Sequence, residues 1–151
     1  AMYKALIRPI LTYSSEVWVL KTKDMDQILR FERKILRTIY GPSRRDDGTY
    51  RIRYNHELDT LIRNGNAIRF IKSQRIRWLG HMYRMPKWRA ANIAFHRQPI
   101  GRRCRGRPNK RWVDEVTADL QKMGITNWKG VVENRSEWRT VVVEAMVCTR
   151  L

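Results

Sequence analysis

Between residues 60 and 113 the chain carries 15 lysines and arginines and not one aspartate or glutamate. No other feature limits its folding options as sharply, because self-repulsion in such a block opposes compaction unless counter-charge is brought against it. The flanks differ. Residues 1–59 hold 12 basic and 8 acidic side chains, and residues 114–151 hold 5 and 6. Charge placed for solubility alone would be interspersed with acids. A phosphate backbone is the commonest polyanion able to neutralise such a run, through release of its counterions, so nucleic acid is the expected partner. The competing reading is a solvated basic face with no ligand.

Composition narrows the class further. With 151 residues, 42% of them apolar, and six tryptophans, the chain can build a core despite a net charge of +18. A disordered basic tail lacks the aromatic and branched residues that offset ordering entropy. No apolar run approaches the roughly 18 residues of a membrane span, and no charged-then-apolar leader precedes a cleavage site. Cys104 and Cys148 cannot form a disulfide framework, so a reduced intracellular setting is expected.

Periodicity and punctuation predict helices nearly throughout, with no internal repeat. Met2 to Leu20, interrupted by Pro9, reads as two short helices or one kinked helix, with Leu6, Ile7, Leu11, Tyr13, Val17 and Trp18 expected inside. Asp24, with Gln27 three residues on, is the expected N-cap of a helix running to Tyr40 and stopped by Gly41-Pro42. Residues 42–54 suit either a turn with a short strand or an extended loop, and Asn55 to Ile62 suits a short helix. The strongest helix is Ala67 to Met85, with Ile68, Ile71, Trp78, Leu79, Met82 and Met85 as its apolar stripe. Gly80 inside it costs about 1 kcal/mol relative to Ala unless a close contact offsets this. Arg89 to Phe95 suits another short helix. Residues 97–111 hold seven cations, several Gly and Pro breaks and almost no apolar side chain, and are expected to form an exposed basic loop. Helices follow from Trp112 to Met123, closed by Gly124, and from Asn127 to about Met146. The fold class is mainly α: small helical bundles with a long basic loop between amphipathic helices.

Catalytic chemistry finds little support. Asp46-Asp47 sits beside a glycine and reads as turn chemistry. Ser/His/Asp order, a Gly-rich phosphate loop and a His-Glu-x-x-His helix are all missing. Cys104, Cys148, His56, His81 and His96 lack the close paired spacing of zinc sites, and His81 reads as a packed or capping histidine. Neither metal nor cofactor is expected. The basic loop carries the sharper signal. Arg105-Gly106-Arg107-Pro108 matches the core of AT-hook peptides, where Gly permits close approach and the guanidiniums seek the negative minor groove. Its plainer reading is a phosphate clamp without sequence preference. Trp78 could stack on an unpaired base, but its place on the apolar stripe favours a scaffold role.

Several long motifs, in order, carry a resemblance. These are Leu6-Ile7-Arg8-Pro9-Ile10-Leu11-Thr12-Tyr13 with Glu16 and Trp18; Phe31-Glu32-Arg33 with Leu36-Arg37; and Arg77-Trp78-Leu79-Gly80-His81-Met82-Tyr83-Arg84-Met85. After them come Gly101 to Pro108, Trp112-Val113-Asp114 with Asp119-Leu120, and Arg135-Ser136-Glu137-Trp138-Arg139. The chain resembles the C-terminal region of LINE-type non-LTR retrotransposon reverse transcriptases from Met2 to about Met146. The resemblance implies that residues 1–41 correspond to the end of the polymerase thumb. It implies that residues 42–151 form a basic helical domain holding element RNA or target DNA during target-primed reverse transcription. The polymerase Asp-Asp motif and the endonuclease would lie N-terminal to this region, so the chain is expected to bind and not to catalyse. Two positions depart from the family pattern: Ser14 replaces a Gly, and Asn134 replaces an Asp. The terminal Cys/His zinc knuckle of human-type elements has no counterpart here.

The expected contacts to nucleic acid (RNA, DNA or a hybrid) are Arg69, Lys72, Arg75, Arg77, Arg84, Arg102, Arg103, Arg105, Gly106, Arg107, Lys110 and Arg111. No membrane partner is expected. The remainder of a reverse transcriptase polyprotein would be a partner if the chain is an excised piece. The expected location is the nucleus, with assembly on RNA in the cytoplasm. The alternative is a domesticated, retrotransposon-derived host protein acting through protein contacts, with the basic block serving nuclear import or chromatin retention.

Overall fold

The computed structural model of the chain describes residues 2–62, 65–97, 111–149 and 151. Among them the architecture is mainly α, with one two-stranded ribbon. A wide helical turn, Tyr3–Ile7, runs into α1 (Arg8–Leu11), with Pro9 just past the junction. Ser14 then takes a left-handed conformation at φ +55°, and a 3₁₀ turn at Ser15–Val17 follows. Helix α2 spans Thr22–Tyr40 and ends on Gly41 at φ +64°. It begins two residues before the expected cap: Asp24 is the third helical residue, and its Oδ2 accepts the Lys21 N–H at 3.1 Å. An anionic side chain in the first turn satisfies a free N–H as well as a cap would.

Strands β1 (Ser43–Arg44) and β2 (Tyr50–Arg51) pair antiparallel, Ser43 opposite Arg51. Asp47 closes their turn, its Oδ1 accepting the Thr49 N–H at 2.8 Å and hydroxyl at 2.6 Å. There follow α3 (Asn55–Ile62), α4 (Ala67–Tyr83), α5 (Ala90–His96), α6 (Trp112–Lys122), α7 (Trp128–Glu133) and α8 (Arg135–Val147). The expected final helix is thus two. Asn134 separates them and caps α8, its Oδ1 accepting the Ser136 N–H at 3.0 Å while its Nδ2 donates to Glu137 Oε1 at 2.8 Å.

Helix α4 is the element the others pack around: α2, α5, α6, α7, α8 and the Ser15–Val17 turn all lie against it. The largest core joins Ile76 and Leu79 of α4 to Val116 and Leu120 of α6, Trp128 and Val132 of α7, and Trp138, Val141 and Ala145 of α8. Gly80 makes the closest of these approaches possible. A Cβ there would lie 2.7 Å from Trp138 Cε2 and closer still to Cδ1 and Nε1, while the indole N–H donates to Ile76 O at 3.1 Å. This is the close contact that offsets the helix-propensity cost of the glycine.

Two smaller clusters tie the N-terminal segment down, Tyr3, Leu36, Leu58 and Ile62 in one and Leu20, Ile68 and Ile71 in the other. Each contains residues from both sides of Gly41. The N-terminal helix turns a different face inward from the one its sequence suggested. Leu6, Tyr13 and Val17 are exposed, and the buried places go to Tyr3 and Arg8. The reason is a buried polar anchor. Glu32, 1% exposed, accepts the Tyr3 hydroxyl at 2.6 Å and the Ala67 N–H at 2.9 and 3.0 Å. Its charge therefore meets the positive end of the α4 dipole. Burial, and then hydrogen bonding to Glu32, push the Tyr3 hydroxyl far above the usual phenol range. Arg8 lies 5.3 Å from the Tyr3 ring and 5.2 Å from the Phe70 ring, and its Nη2 donates to Gly65 O at 2.9 Å.

Candidate nucleic-acid interface

The cations of α4 divide between two faces. At about 100° per residue, Lys72 and Arg75 stand four and seven positions after Ile68 and share its side of the helix. Arg77, nine positions on, points to the opposite side. Burial follows the same division. Arg75 is 1% exposed and Lys72 is buried, whereas Arg77 is exposed and Arg84 half-buried.

The inward pair is neutralised by α6. Lys72 Nζ contacts Asp119 Oδ1 at 2.9 Å and also donates to Leu151 O at 3.0 Å. Arg75 Nη2 contacts Glu115 Oε2 at 2.9 Å, and its Nη1 lies 3.9 Å from Asp119 Oδ2. Lys72 and Arg75, expected to touch ligand, are instead committed to the protein's own carboxylates. Charges taken out of water must be paired in this way.

The outward face of α4 lines an open cleft of about 810 Å³. Gln74, Arg77, Trp78, His81, Arg84 and Met85 recur at helical spacing along one wall, with Pro86 and Arg89 beyond. Glu16 comes from the Ser15–Val17 turn and Arg135 from the first residue of α8. Four arginines therefore meet one lining acid among the described residues. None of the four forms an ion pair among those residues. Arg84 Nη1 is held by Val132 O at 2.6 Å. Burial lowers the proton affinity of its guanidinium, and the nearby charge of Arg135 lowers it further. Arg84 and Arg135 thus line the same cleft within reach of each other's charge. Arg89 lies 5.3 Å from the Trp88 ring.

Rings floor the same cleft. The Trp78 and His81 rings are 5.2 Å apart between centroids, tilted by 37°. His81 is exposed, not packed or capping as expected, and Trp78 is half-buried instead of enclosed on the apolar stripe. Trp78 also lines a second cleft, of about 870 Å³, together with Phe95, Trp112 and Trp128 and with Arg97, Arg111 and Lys129.

Of the expected contacts, Arg77 and Arg84 come together in the first cleft and Arg111 stands at the second. Arg69 lies apart from both, in the first turn of α4, its backbone N–H held by Asn66 Oδ1 at 3.0 Å. Arg102, Arg103, Arg105, Gly106, Arg107 and Lys110 lie outside the described residues. Sequence reasoning missed Arg89 and Arg135. Arg89 had a signal, a cation shortly after the helix-ending Pro86; Arg135 opens one of the sequence motifs, but only the packing of α8 on α4 shows that it stands near the others. No group of three or more His, Cys, Asp or Glu able to hold a metal ion occurs among the described residues. Among them, too, no helix is long and apolar enough to cross a membrane.

No protein-family model matches the chain, and no solved structure matches it. Over 150 residues, covering 93% of this chain, it is 23% identical to an uncharacterized transposon-derived protein of Caenorhabditis elegans. The chain spans about half, 52%, of that relative's length.

Proposed function

We propose that the chain is a non-catalytic nucleic-acid-binding module from the C-terminal region of a non-LTR retrotransposon reverse transcriptase. In this reading it holds element RNA or target DNA in the nucleus during target-primed reverse transcription. One observation carries it: Arg77, Arg84, Arg89 and Arg135 converge on a single open cleft while Lys72 and Arg75 of α4 are neutralised internally. The similarity to a transposon-derived protein supports a transposon-related origin. The motifs support the finer assignment, because Glu16, Arg77, Trp78, His81, Arg84 and Arg135, drawn from three of them, line this one cleft.

A salt titration of oligonucleotide binding tests the reading. Replacing Arg77, Arg89 and Arg135 together by Gln should lower the slope of log affinity against log salt by about 2–3, at roughly 0.7–0.9 per phosphate contact. Neutralising Lys23, Arg30 and Lys34 on exposed positions of α2 removes the same charge and serves as control. Equal loss in the two triple variants would reduce the cleft to non-specific charge.

A second reading, contact with another protein, draws on one feature. Met2, Leu6, Ile10 and Tyr13 recur at helical spacing and are all exposed. A pull-down repeated after nuclease digestion separates the two readings, since a protein-held partner survives digestion and a nucleic-acid-held one is lost.

A further inference from the structure

We infer that the α4 cleft takes an unpaired nucleotide, its base lying on the Trp78–His81 ring pair and its phosphate facing Arg84 and Arg135. The inference rests on the nucleic-acid reading above and adds to it a preference for single strands and a residue that supplies it.

Three observations converge. Trp78 sits between core residues Ile76 and Leu79 in sequence, yet it stays half-exposed and opens onto two clefts. An indole with no task at the surface would be expected to bury more of its area. His81, one turn on, lies against it with ring centroids 5.2 Å apart and adds a second ring to the cleft lining. Arg84 and Arg135 are close enough to repel, and among the described residues no lining acid other than Glu16 is there to relieve them. A nucleotide offers a flat apolar face and an anion joined by a sugar, which is the pairing these two features call for. The cleft volume of about 810 Å³ falls within the roughly 300–1,000 Å³ of sites that enclose small ligands. Within a duplex both faces of each base are already covered by neighbours, so a ring platform discriminates in favour of an unpaired one.

The test uses the 151-residue chain and fluorescence anisotropy with four probes, compared at equal salt across a salt series. The probes are a 12-nucleotide oligo-dT, its oligo-rU counterpart, an oligo-dT containing abasic sites, and a blunt duplex of the same length. With the unaltered protein, abasic substitution should weaken binding by about five- to a hundredfold, the range that base–aromatic stacking supplies. Trp78→Leu should cause a similar loss on both single strands, with little change on the duplex and no change in salt slope. Trp78→Phe should retain most of the affinity. In Trp78→Leu the abasic and intact strands should bind alike. The inference is overturned if abasic and intact strands bind the unaltered protein equally, or if Trp78→Leu weakens duplex as much as single strands. If arginine-dependent binding persists in either case, the inference falls and the nucleic-acid reading stands. If no probe binds at low salt, both fall.

Discussion

Replacing Gly80 by Ala sets two effects of opposite sign against each other. Alanine in a helix interior gains about 1 kcal/mol over glycine. At this position, however, the new methyl would lie inside the van der Waals envelope of the Trp138 indole, 2.7 Å from Cε2 and nearer two other ring atoms. Trp138 is 2% exposed and has no free space to retreat into. Either α8 lifts from α4 or the ring swings and gives up its hydrogen bond to Ile76 O. Overpacking of this kind costs about 1–3 kcal/mol, and the lost hydrogen bond adds about 1 kcal/mol. The propensity gain cancels the hydrogen-bond term, leaving a net destabilisation of about 1–3 kcal/mol. In a chain of this size that lowers the melting temperature by about 2–10 °C. Gly130, inside α7, is the control: a Cβ there meets nothing nearer than Asn127 Nδ2 at 3.5 Å. Gly130→Ala should therefore stabilise by up to about 1 kcal/mol. Urea unfolding followed by far-UV circular dichroism reads both. Should Gly80→Ala prove neutral or stabilising, the close approach of α4 and α8 is wrong, and so is the placing of Arg135 beside Arg84.

Three further outcomes follow from other parts of the fold. Ser14→Gly should stabilise by about 0.5–1 kcal/mol in the same urea assay, since the left-handed φ of +55° costs an L-residue roughly 1–2 kcal/mol and glycine's extra unfolded-state freedom returns only part of that; a loss of stability would refute it. Lys72→Met should destabilise, though by less than the roughly 3–5 kcal/mol of a fully orphaned buried charge, because Arg75 and Lys122 remain 3.9 and 3.8 Å from Asp119. The salt slope of oligonucleotide binding should not change, and a fall of about 0.7–0.9 would put Lys72 on the ligand after all. Glu57 has its carboxyl lowered from 4.5 to about 2 by hydrogen bonds from the Arg51 guanidinium and the Tyr54 N–H. A carboxylate depressed on folding contributes stability above its unfolded value and loses it as pH falls toward the folded one. The urea-midpoint difference between the parent chain and Glu57→Gln should therefore shrink between pH 4.5 and 2, and a difference that grows on acidification would contradict the pairing.

What the sequence made legible, and what it did not, divides by range. Helix limits were set by local signals, such as Gly41 after α2, Gly124 after α6 and the α4 stripe of Ile68, Ile71, Leu79 and Met82, so periodicity found them. The acid-free block misled because neutrality was judged along the chain. Glu115 and Asp119 lie 40 and 47 residues from the cations they neutralise, and only the packing of α6 on α4 brings them together. A local clue existed, since Lys72 and Arg75 occupy the Ile68 side of the helix, where a free cation could not be kept dry. The N-terminal segment misled for a related reason: periodicity shows that Leu6, Ile10 and Tyr13 share a face but not that buried Glu32 draws Tyr3 and the opposite side inward.

These misreadings sharpen the functional argument. If every cation of α4 were outward, the helix would be a uniformly basic rod, attractive to any polyanion along its whole length. Because α6 cancels two of them, the positive field that remains lies at Arg69 in the first turn and, at the far end, at Arg77 and Arg84, where Arg89 and Arg135 add to it from outside the helix. The packing that hides Lys72 and Arg75 and the packing that presents Arg135 both depend on α4 keeping its place among its neighbours. Gly80 permits that fit on the α8 side. A small change there should therefore reach the cleft without touching any residue that lines it, and a binding measurement on Gly80→Ala, made where the protein is still folded, would register the displacement as weaker affinity for single strands.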